Sequence, residues 1–374
     1  MTKQGQGQVI AIVTPWYPTD DNPVSGMFVL REVQAMLSSG MDVRVVHLDR
    51  DLSAGEMRTD NVEGHRVLRI GYNPSRPSQL PAASKSLRAA LRDVDVVNSH
   101  AISILPLMAM SRGKKPWVHT EHWSALSNPA SASRLLRVVR PMFASLLRLP
   151  DAVVAESEML AEPIRRFRRR TVDLVPCIVP APPLIRERDT DPQVVRLSST
   201  GGVIDRKDPL LAVRTLAALR DRGVDASLRW TGEGDLRQEA QGLAEELGVD
   251  ATFLGSGSAE DVEKEIGCSD VFFAPTKGEN FFVAAAEALV NGRPLVASEK
   301  GGHTEYADSR FTEIVTERTP EAYAEAVVRV LNKSKNISAA EISETVSARF
   351  SPGRVAAMYA DVYIRVTTPA EGCH

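Results

Sequence analysis

Two glutamates with seven residues between them, Glu279 and Glu287, are the strongest chemical signal in the chain. The surrounding segment, KGENFFVAAAEALVNGRPLVA, predicts that Glu279 lies in a glycine-marked loop and Glu287 inside an otherwise apolar helix. A carboxylate among alanines loses hydration on burial and stays ionised only where hydrogen-bond donors are available. Sugar hydroxyl groups are one such set of donors. The alternative is a glutamate satisfied by backbone N–H groups or by an arginine.

The helix that carries Glu287 is predicted to begin near Asn280 and Phe281, followed by Phe282. The N–H groups at the start of a helix have no partner within it, and together with the helix dipole they bind phosphate well. These three residues are therefore candidates for binding the phosphates of a ligand. A polyol joined to phosphates fits both the glutamate pair and the helix start.

A second candidate segment is STGGVIDRKDP, from Ser199 to Pro209, which follows a predicted strand. Gly201 and Gly202 permit tight backbone turns, while Arg206 and Lys207 bring two positive charges to the start of the next helix. A diphosphate needs positive charge of this kind. The alternative is a solvated basic turn.

The loop TPWYPTDDNPVSG, from Thr14 to Gly26, connects the first predicted strand to the first predicted helix. Nucleotide-binding folds present groups to their ligands at such loops. Gly26 would let the backbone approach a phosphate closely, and Ser25 would add a hydroxyl group. The alternative is that Gly26 is only a turn residue before a helix, which is the more common role of a single glycine.

Length and composition indicate a two-domain protein without a nucleic-acid-binding surface. The chain has 374 residues, more than one hydrophobic core usually holds. Its formal charge of −3 argues against general binding to nucleic acid. Cys177, Cys268 and Cys373 have no metal-site spacing and favour a reduced, cytoplasmic setting. No signal-peptide pattern and no run of about 18 apolar residues is found, so we expect a soluble protein.

Short β-branched runs alternate with helix-period stretches along the chain, which predicts parallel sheets covered by helices. In the first half the predicted strands are Val9–Thr14, Val43–Leu48, Arg66–Ile70, Val94–Ser99, Trp117–Thr120 and Ala152–Ala155, and the predicted helices are Met27–Ser39 and Ser84–Leu91. In the second half the predicted strands are Val194–Ser199, Ala226–Thr231, Thr252–Leu254, Val271–Ala274 and Leu295–Ser298, and the predicted helices are Pro209–Arg222 and Leu236–Leu247. Five prolines between residues 175 and 192 separate the two halves, and we place the domain boundary near residue 182.

The glutamate pair resembles that of the retaining glycosyltransferases of family 4, whose donor site carries a glutamate, seven residues and another glutamate. The resemblance covers nearly the whole chain and implies the GT-B fold, an α/β fold with two Rossmann-like domains facing across a cleft. It implies an acceptor-side domain at residues 1–182, a nucleotide-sugar-binding domain at 183–349, and a C-terminal segment, 350–374, that packs back on the first domain. The stretch from Phe350 to Val366 is identified as the returning helix.

The resemblance also implies roles for the second-half residues. Glu279 would lie by the donor sugar, Glu287 would hold the ribose hydroxyls, and Lys207 would bind the diphosphate. Gly202 stands where the family has an arginine, so Arg206 is a candidate substitute. The family usually reads Glu-Gly-Phe-Gly where this chain has Glu279 followed by Asn, Phe and Phe.

In the first half, the resemblance implies that His122, in VHTEHWS, reaches toward the donor sugar, and the alternative is a structural role within its domain. His100, in DVVNSH, is equally compatible with a structural role and with contact to the acceptor. For His119 a structural role is favoured. For His303, which follows two glycines, a contact with solvent or with the donor edge is favoured over a core position.

The sequence interpretation is transfer of a sugar, with retention, from a nucleoside diphosphate sugar to a hydroxyl or amine of an acceptor. His122, Glu279, Arg206 and Lys207 are the candidate catalytic residues. No cofactor and no metal ion are expected, because no Asp-x-Asp pair lies in a loop suited to metal binding. The alternatives are a nucleotide-sugar epimerase of the same fold and a catalytically silent sugar-nucleotide-binding protein.

Two basic stretches leave peripheral membrane contact open as an alternative to ordinary surface or core helices. IRRFRRR, from Ile164 to Arg170, reads either as a solvated helix face or as a surface for an anionic membrane or a phosphorylated acceptor. Arg134, Arg137 and Arg140 recur at helical spacing in the second stretch, Ser133 to Arg148. There a core-facing helix is favoured over membrane association.

Overall fold

The structure is a computed structural model that describes residues 7–23, 25–128, 141–189 and 193–368. The chain forms two compact units, one of Met1–Ile178 with Pro352–His374 and the other of Val179–Ser351. Each unit is built around one sheet whose strands are almost all parallel. No helix within the described residues is long and apolar enough to span a membrane.

The first unit contains an eight-stranded sheet with the strand order β3-β4-β2-β1-β5-β6-β7-β8. Its strands are β1 (Val9–Thr14), β2 (Asp42–Asp49), β3 (Met57–Val62), β4 (His65–Gly71), β5 (Val96–His100), β6 (Trp117–Glu121), β7 (Ala152–Ala155) and β8 (Val172–Leu174). Six of these match predicted strands. The sequence analysis missed β3, which pairs antiparallel with β4 and has the polar sequence MRTDNV, and β8, which has only three residues.

Helices connect these strands and cover the faces of the sheet. Among the described residues of the first unit they include α1 (Met27–Ser38), α2 (Leu80–Ala90), α3 (Leu105–Ser111), α4 (Ser124–Ser127) and α5 (Glu158–Arg165). Because both faces are covered, β5, β6 and β7 are buried at every residue, and β7 is apolar throughout. Half of the predicted basic helix from Ser133 to Arg148 lies outside the described residues, including Arg134, Arg137 and Arg140, and so does Cys373.

The second unit contains a six-stranded parallel sheet with the strand order β11-β10-β9-β12-β13-β14. Its strands are β9 (Val195–Thr200), β10 (Ala226–Thr231), β11 (Asp250–Gly255), β12 (Val271–Ala274), β13 (Leu295–Ser298) and β14 (Thr312–Val315). Its helices are α6 (Pro209–Arg220), α7 (Arg237–Leu247), α8 (Ala259–Gly267), α9 (Val283–Val290), α10 (Pro320–Ser334) and α11 (Ala339–Ser347). Of these strands only β14 was not predicted.

The last helix, α12 (Pro352–Thr367), belongs to the first unit although it follows the second in sequence. Its buried face includes Val355 and Tyr359, which pack in the same core as Val29 and Val33 of α1. The Tyr363 hydroxyl accepts a hydrogen bond from the Asn98 amide of β5 at 2.9 Å. The chain therefore returns to its first unit, as the resemblance implies.

The order of the strands determines where loops from different parts of the chain meet. Each sheet changes direction next to its first strand, between β1 and β5 in the first unit and between β9 and β12 in the second. Ligands of such sheets bind at the carboxyl ends of the strands beside this switch point. The loops after β9 and β12 carry Lys207 and Glu279, and His100 ends β5.

Candidate functional site

One carboxylate in the second unit is shared by two cations from a different loop. Glu279 Oε1 lies 2.5 Å from Arg206 Nη1 and 2.7 Å from Lys207 Nζ. The exposed fractions of the side chains are 12% for Glu279, 11% for Lys207 and 32% for Arg206. Residues 205–207 form a 3-10 turn after β9, and Glu279 lies between β12 and α9. The structure thus brings together three of the predicted site residues, two cations and one carboxylate.

Burial and charge act in opposite directions on both buried members of this cluster. For Lys207, burial lowers the pKa, and the negative charges of Glu279 and Glu287 oppose the shift. For Glu279, burial alone would raise the pKa, but the charges of Lys207 and Arg206 outweigh it, and the pKa lies below its ordinary value. Glu279 is therefore an ionised carboxylate at neutral pH.

Side chains that the sequence analysis did not identify hold the two loops together. Thr276 Oγ1 donates to the Arg206 carbonyl at 3.1 Å. Arg318, which precedes α10, donates to the carbonyls of Pro275 and Thr276 and forms an ion pair with Asp208 at 2.5 Å. Asp208 caps α6 in a left-handed conformation, with φ 54°. Arg318 lies far from both loops in sequence, so no local pattern could have identified it.

The helix start differs from the sequence prediction. Helix α9 begins at Val283, with Phe282 at its N-cap, and Asn280 and Phe281 lie before it and are buried. The Phe281 ring packs against Tyr306 and Phe350 in an aromatic cluster, with ring centroids 5.3 and 5.1 Å away. The apolar pattern that suggested an early helix start reflects burial of these rings. Asn280 and Phe281 therefore do not lie in the first turn of the helix.

Phe282 adopts a backbone conformation that bulky residues rarely take. Its φ is 71° and its ψ is 65°, in the left-handed region, which costs on the order of 1–3 kcal/mol for such a residue. The Tyr306 hydroxyl contacts the carbonyl oxygens of Phe281 and Phe282, at 3.1 and 2.7 Å. The face of the Phe282 ring lies 4.5 Å from Lys207 Nζ.

Two glycines make space for the loop that carries Arg206 and Lys207. A Cβ atom on Gly201, whose φ is 114°, would lie 3.1 Å from Lys207 Cε, and one on Gly232 would lie 2.0 Å from the Gly201 carbonyl oxygen. A Cβ on Gly202, in contrast, would meet only ordinary contacts at 3.5 Å or more. The chain at Gly201 and Gly232 therefore needs glycine, whereas Gly202 has space for a side chain.

Glu287 lies in α9, as predicted, and is half-buried. The structure corrects the expectation for His303, which is fully buried and therefore has no contact with solvent. His303 Nε2 lies 2.7 Å from the Ser298 carbonyl oxygen, and its ring meets the Phe282 ring edge-on at 5.3 Å. Burial lowers the pKa of His303, so the ring is neutral.

In the first unit, His100 and His122, the two histidines predicted as site residues, stack on each other. The rings of His100 and His122 are 5.4 Å apart and nearly parallel, with His100 Nδ1 3.2 Å from His122 Nε2. His122 Nδ1 lies 3.2 Å from Glu156 Oε2, which also accepts a hydrogen bond from the Cys177 thiol at 3.2 Å. His100 is fully buried, and its Nε2 lies 4.0 Å from Glu32 Oε2. The strand ends of β5, β6 and β7 thus bring together two histidines and a carboxylate.

The charge states in this cluster follow from burial and from the carboxylates. Burial opposes a charge on His122, but the hydrogen bond and charge of Glu156, with Glu32 and Glu121, outweigh it and raise the pKa. Burial lowers the pKa of His100 well below its ordinary value, and His122 adds to the effect. Burial raises the pKa of Glu32 to about 7. His122 is therefore the proton-rich ring, donating to neutral His100 and to Glu156.

The loop after β1 reaches the same histidine cluster. Gly26 is the N-cap of α1 with φ 66°, and a Cβ there would lie 2.3 Å from the Trp16 carbonyl oxygen. The ring of Phe28 packs on His122 with 4.6 Å between centroids, and that of Trp16 is 6.3 Å away. Ser25 is partly exposed, and its backbone N–H donates to the Asn22 carbonyl. Gly26 is thus the turn residue before a helix, and only glycine fits there.

The basic segment 164–170 is not one uniform face. Arg165 and Arg166 pair with Glu158 and Glu162 on α5. Arg168 is buried, with 4% of its surface exposed, and donates to the carbonyl oxygens of Leu147 and Pro150 at 2.9 and 2.8 Å. At least one arginine of the run therefore has a structural role.

Comparison with known proteins identifies the family. The model described as Glycosyltransferase Family 4 matches residues 25–181, and the model described as Glycosyl transferases group 1 matches residues 195–333. Together these matches cover most of the chain. The chain therefore belongs to the family 4 glycosyltransferases.

Individual relatives agree with this assignment. The GDP-mannose-dependent alpha-(1-6)-phosphatidylinositol dimannoside mannosyltransferase of Mycobacterium tuberculosis is 34% identical over 157 residues, which are 40% of this chain and 39% of that protein. The D-inositol 3-phosphate glycosyltransferase of Corynebacterium urealyticum is 29% identical over 178 residues, 44% of this chain and 42% of that protein. The chain therefore spans less than half the length of each of these relatives.

The solved structures share the fold. Sucrose-phosphate synthase from Thermosynechococcus elongatus has a TM-score of 0.75 and 19% sequence identity, and the superposition covers 96% of this chain and 99% of that one. The fold is thus of the GT-B class.

The protonation of His122 can be tested by removing the charge of Glu156. In Glu156→Gln the pKa of His122 should fall, because the imidazolium loses its nearest carboxylate. Because the pKa of His122 is raised in the folded parent protein, the folded state binds this proton more tightly than the unfolded state does. This contribution to stability is fully present below the ordinary value of 6.5 and is lost as the pH rises through the folded-state pKa. NMR titration of the histidine ring protons measures the shift directly.

The matched control is Glu158→Gln, which removes an exposed carboxylate two residues away that pairs with Arg165. It should leave the His122 titration unchanged. An unchanged His122 pKa in Glu156→Gln as well would show that Glu156 does not hold the proton on this ring.

Proposed function

We propose that this protein transfers a sugar from a nucleoside diphosphate sugar to a hydroxyl or amine of an acceptor, with retention at the anomeric carbon. The observation that carries the proposal is the cluster of Arg206, Lys207 and Glu279 beside the switch point of the second sheet. Two fixed cations therefore lie where a parallel sheet of this kind receives ligands. A diphosphate is the chemical group that this charge suits.

Lys207 and Arg206 are the proposed ligands of the diphosphate. As the bond between sugar and phosphate breaks, negative charge grows on the leaving nucleotide, and fixed cations in a partly dry site stabilise it. Because Lys207 is almost buried, water screens its charge less than that of an exposed lysine. In the proposal, Glu279 stands beside the donor sugar, and its hydrogen bonds pass in part from the cations to the sugar hydroxyls.

Glu287 is the proposed ligand of the ribose hydroxyls. It lies in α9, and its negative charge helps to hold up the pKa of Lys207. An ionised carboxylate can accept hydrogen bonds from two neighbouring hydroxyl groups at once. The backbone from Asn280 to Phe282, together with Ser25 and Gly26, stays a proposed contact for the donor phosphates.

Retention and metal independence are part of the proposal: the family resemblance alone supports retention, and the lack of an Asp-x-Asp pair in a loop suited to metal binding supports metal independence. The expected course is departure of the diphosphate on the face that the acceptor enters, with a leaving phosphate oxygen taking the acceptor proton. The name of one relative, a GDP-mannose-dependent mannosyltransferase, supports GDP-mannose as the first donor to try. A cytoplasmic setting is likewise proposed.

Product analysis tests the function. A thermal-shift panel of nucleoside diphosphates and their sugars identifies the donor, since a ligand at about 100 times its Kd adds about 2.7 kcal/mol to the native state. The enzyme is then incubated with that donor and candidate acceptors. Release of nucleoside diphosphate with a new glycoside supports the proposal, free epimerised nucleotide sugar indicates an epimerase, and binding without turnover with any acceptor indicates a silent binding protein.

Replacing Glu287 by Gln should weaken donor binding about tenfold or more. The change keeps the size of the side chain but removes charge-assisted hydrogen bonds, each worth on the order of 1.5–3 kcal/mol. Calorimetry with the identified nucleoside diphosphate measures it. Glu245→Gln, on the exposed face of α7, is the control and should bind normally. Equal affinities in both variants would reject the ribose role.

Removing either cation should slow the chemical step more than it affects stability. Lys207→Ala is expected to lose on the order of 100-fold in single-turnover rate at saturating donor, and the more exposed Arg206→Ala somewhat less. Lys277→Ala is the matched control, since Lys277 pairs with Asp205 outside the Glu279 cluster. Full single-turnover rates in the first two variants would remove the diphosphate role.

His122 is the proposed contribution of the first unit to the transition state. A positioning contact of this kind changes the rate more than it changes nucleotide affinity. His122→Ala should bind the free nucleoside diphosphate nearly as the parent does but transfer sugar at least ~100-fold more slowly. Steady-state kinetics measured together with calorimetry give both quantities. Transfer at the parent rate would leave His122 with a structural role only.

A further inference from the structure

The backbone of Phe282 is held in a conformation that the residue itself disfavours. Its φ of 71° suits glycine, yet a phenylalanine stands there with 4% of its surface exposed. Strained residues persist where the surrounding structure fixes them, and they cluster at functional sites. The contacts of the Phe282 side chain therefore explain why a phenylalanine stands at this position.

Three neighbours define the place of the Phe282 ring. The ring of Phe272, on β12, meets it edge-on at 6.4 Å, and the neutral ring of His303 meets it edge-on at 5.3 Å. Its face lies 4.5 Å from Lys207 Nζ. Two rings thus fix the orientation of the third, and its electron-rich face is turned to the ammonium group.

The ammonium group of Lys207 consequently lies between two different partners. One is the Glu279 carboxylate at 2.7 Å, and the other is the ring face. The carboxylate neutralises charge, whereas the ring attracts the cation without cancelling its charge or accepting a conventional hydrogen bond. A ring is therefore the partner that holds the cation in place and leaves its charge available to a phosphate.

We propose that Phe282 is a positioning residue, whose ring holds the Lys207 ammonium group in place for the diphosphate of the donor. The inference rests on the proposed function of Lys207 and adds the reason for the strained backbone. The left-handed turn at Phe282 is the conformation that directs the ring under the lysine, and the Tyr306 hydroxyl secures the turn by its contacts with two carbonyl oxygens. A glycine would relieve the strain and lose the contact.

The experiment changes the electron density of the ring while keeping its size. Phe282 is replaced by monofluoro-, difluoro- and trifluorophenylalanine, which weaken the attraction of the ring face for a cation step by step. Two quantities are measured in each protein: the pKa of the Lys207 amine, from the pH dependence of its chemical labelling, and the affinity for GDP, UDP and inorganic pyrophosphate by calorimetry.

The pKa of Lys207 should fall along the series, because each fluorine removes part of the stabilisation of the charged form. Affinity for the diphosphate that binds the parent should fall with it, by at least ~10-fold for the trifluoro protein, which corresponds to about 1.4 kcal/mol. An unchanged Lys207 pKa in the trifluoro protein would overturn the proposal. A falling pKa in a protein that binds none of the three diphosphates supports the ring contact and counts against the proposed function.

A conventional variant pair separates the ring contact from general loss of core packing. Phe282→Leu should reproduce the loss of diphosphate affinity seen with the trifluoro protein. Phe273→Leu removes a fully buried ring from β12, one residue after Phe272. The Phe273 ring packs on Tyr323, and its loss should change the diphosphate affinity less than about threefold. Equal effects in the two leucine variants would indicate packing alone and would contradict the proposal.

Discussion

The candidate site of the second unit depends on the ion pairs that Glu279 forms with Arg206 and Lys207. A buried lysine without a partner would lose its proton or destabilise the fold, and Glu279 offsets that cost. The partners come from separate loops, after β9 and after β12, and they meet because these two strands are neighbours in the sheet. Arg318 and Thr276 then hold the loops in register. The site is thus a consequence of strand order.

In the first unit, the proton on His122 balances the negative charge of the surrounding carboxylates. His122 is buried among carboxylates that favour its charged form, whereas His100, stacked against it, is held neutral by burial and by that same charge. The pKa values of the two rings are therefore shifted in opposite directions, although both are histidines at strand ends. Glu156, which follows β7, contacts His122, Cys177 from the segment after β8 donates to Glu156, and Glu32 of α1 lies near His100. Both units thus place their charged groups at the carboxyl edge of a parallel sheet.

Specific elements show where sequence reasoning succeeded and where it did not. Strands covered on both faces, such as β1 and β12, are continuous apolar runs and were predicted with their observed bounds. The polar strand β3 was missed, because it pairs through its backbone at the sheet edge and buries little of its side chains. The start of α9 was placed too early, since Phe281 and Phe282 are apolar for tertiary reasons, namely an aromatic cluster and the contact with Lys207. Arg318 carried no local signal at all.

The sequence by itself determined the alternation of strands and helices, the family and the loops that carry charged residues, because these depend on local periodicity and on short motifs. Only the tertiary structure decided which charges meet. It paired Arg206 and Lys207 with Glu279 and buried His303, although a loop after two glycines had suggested exposure. It also kept Phe282 in a left-handed conformation. These outcomes depend on strand order and on packing between residues remote in the chain, and no local pattern records the energy of a contact that forms only when the sheet does.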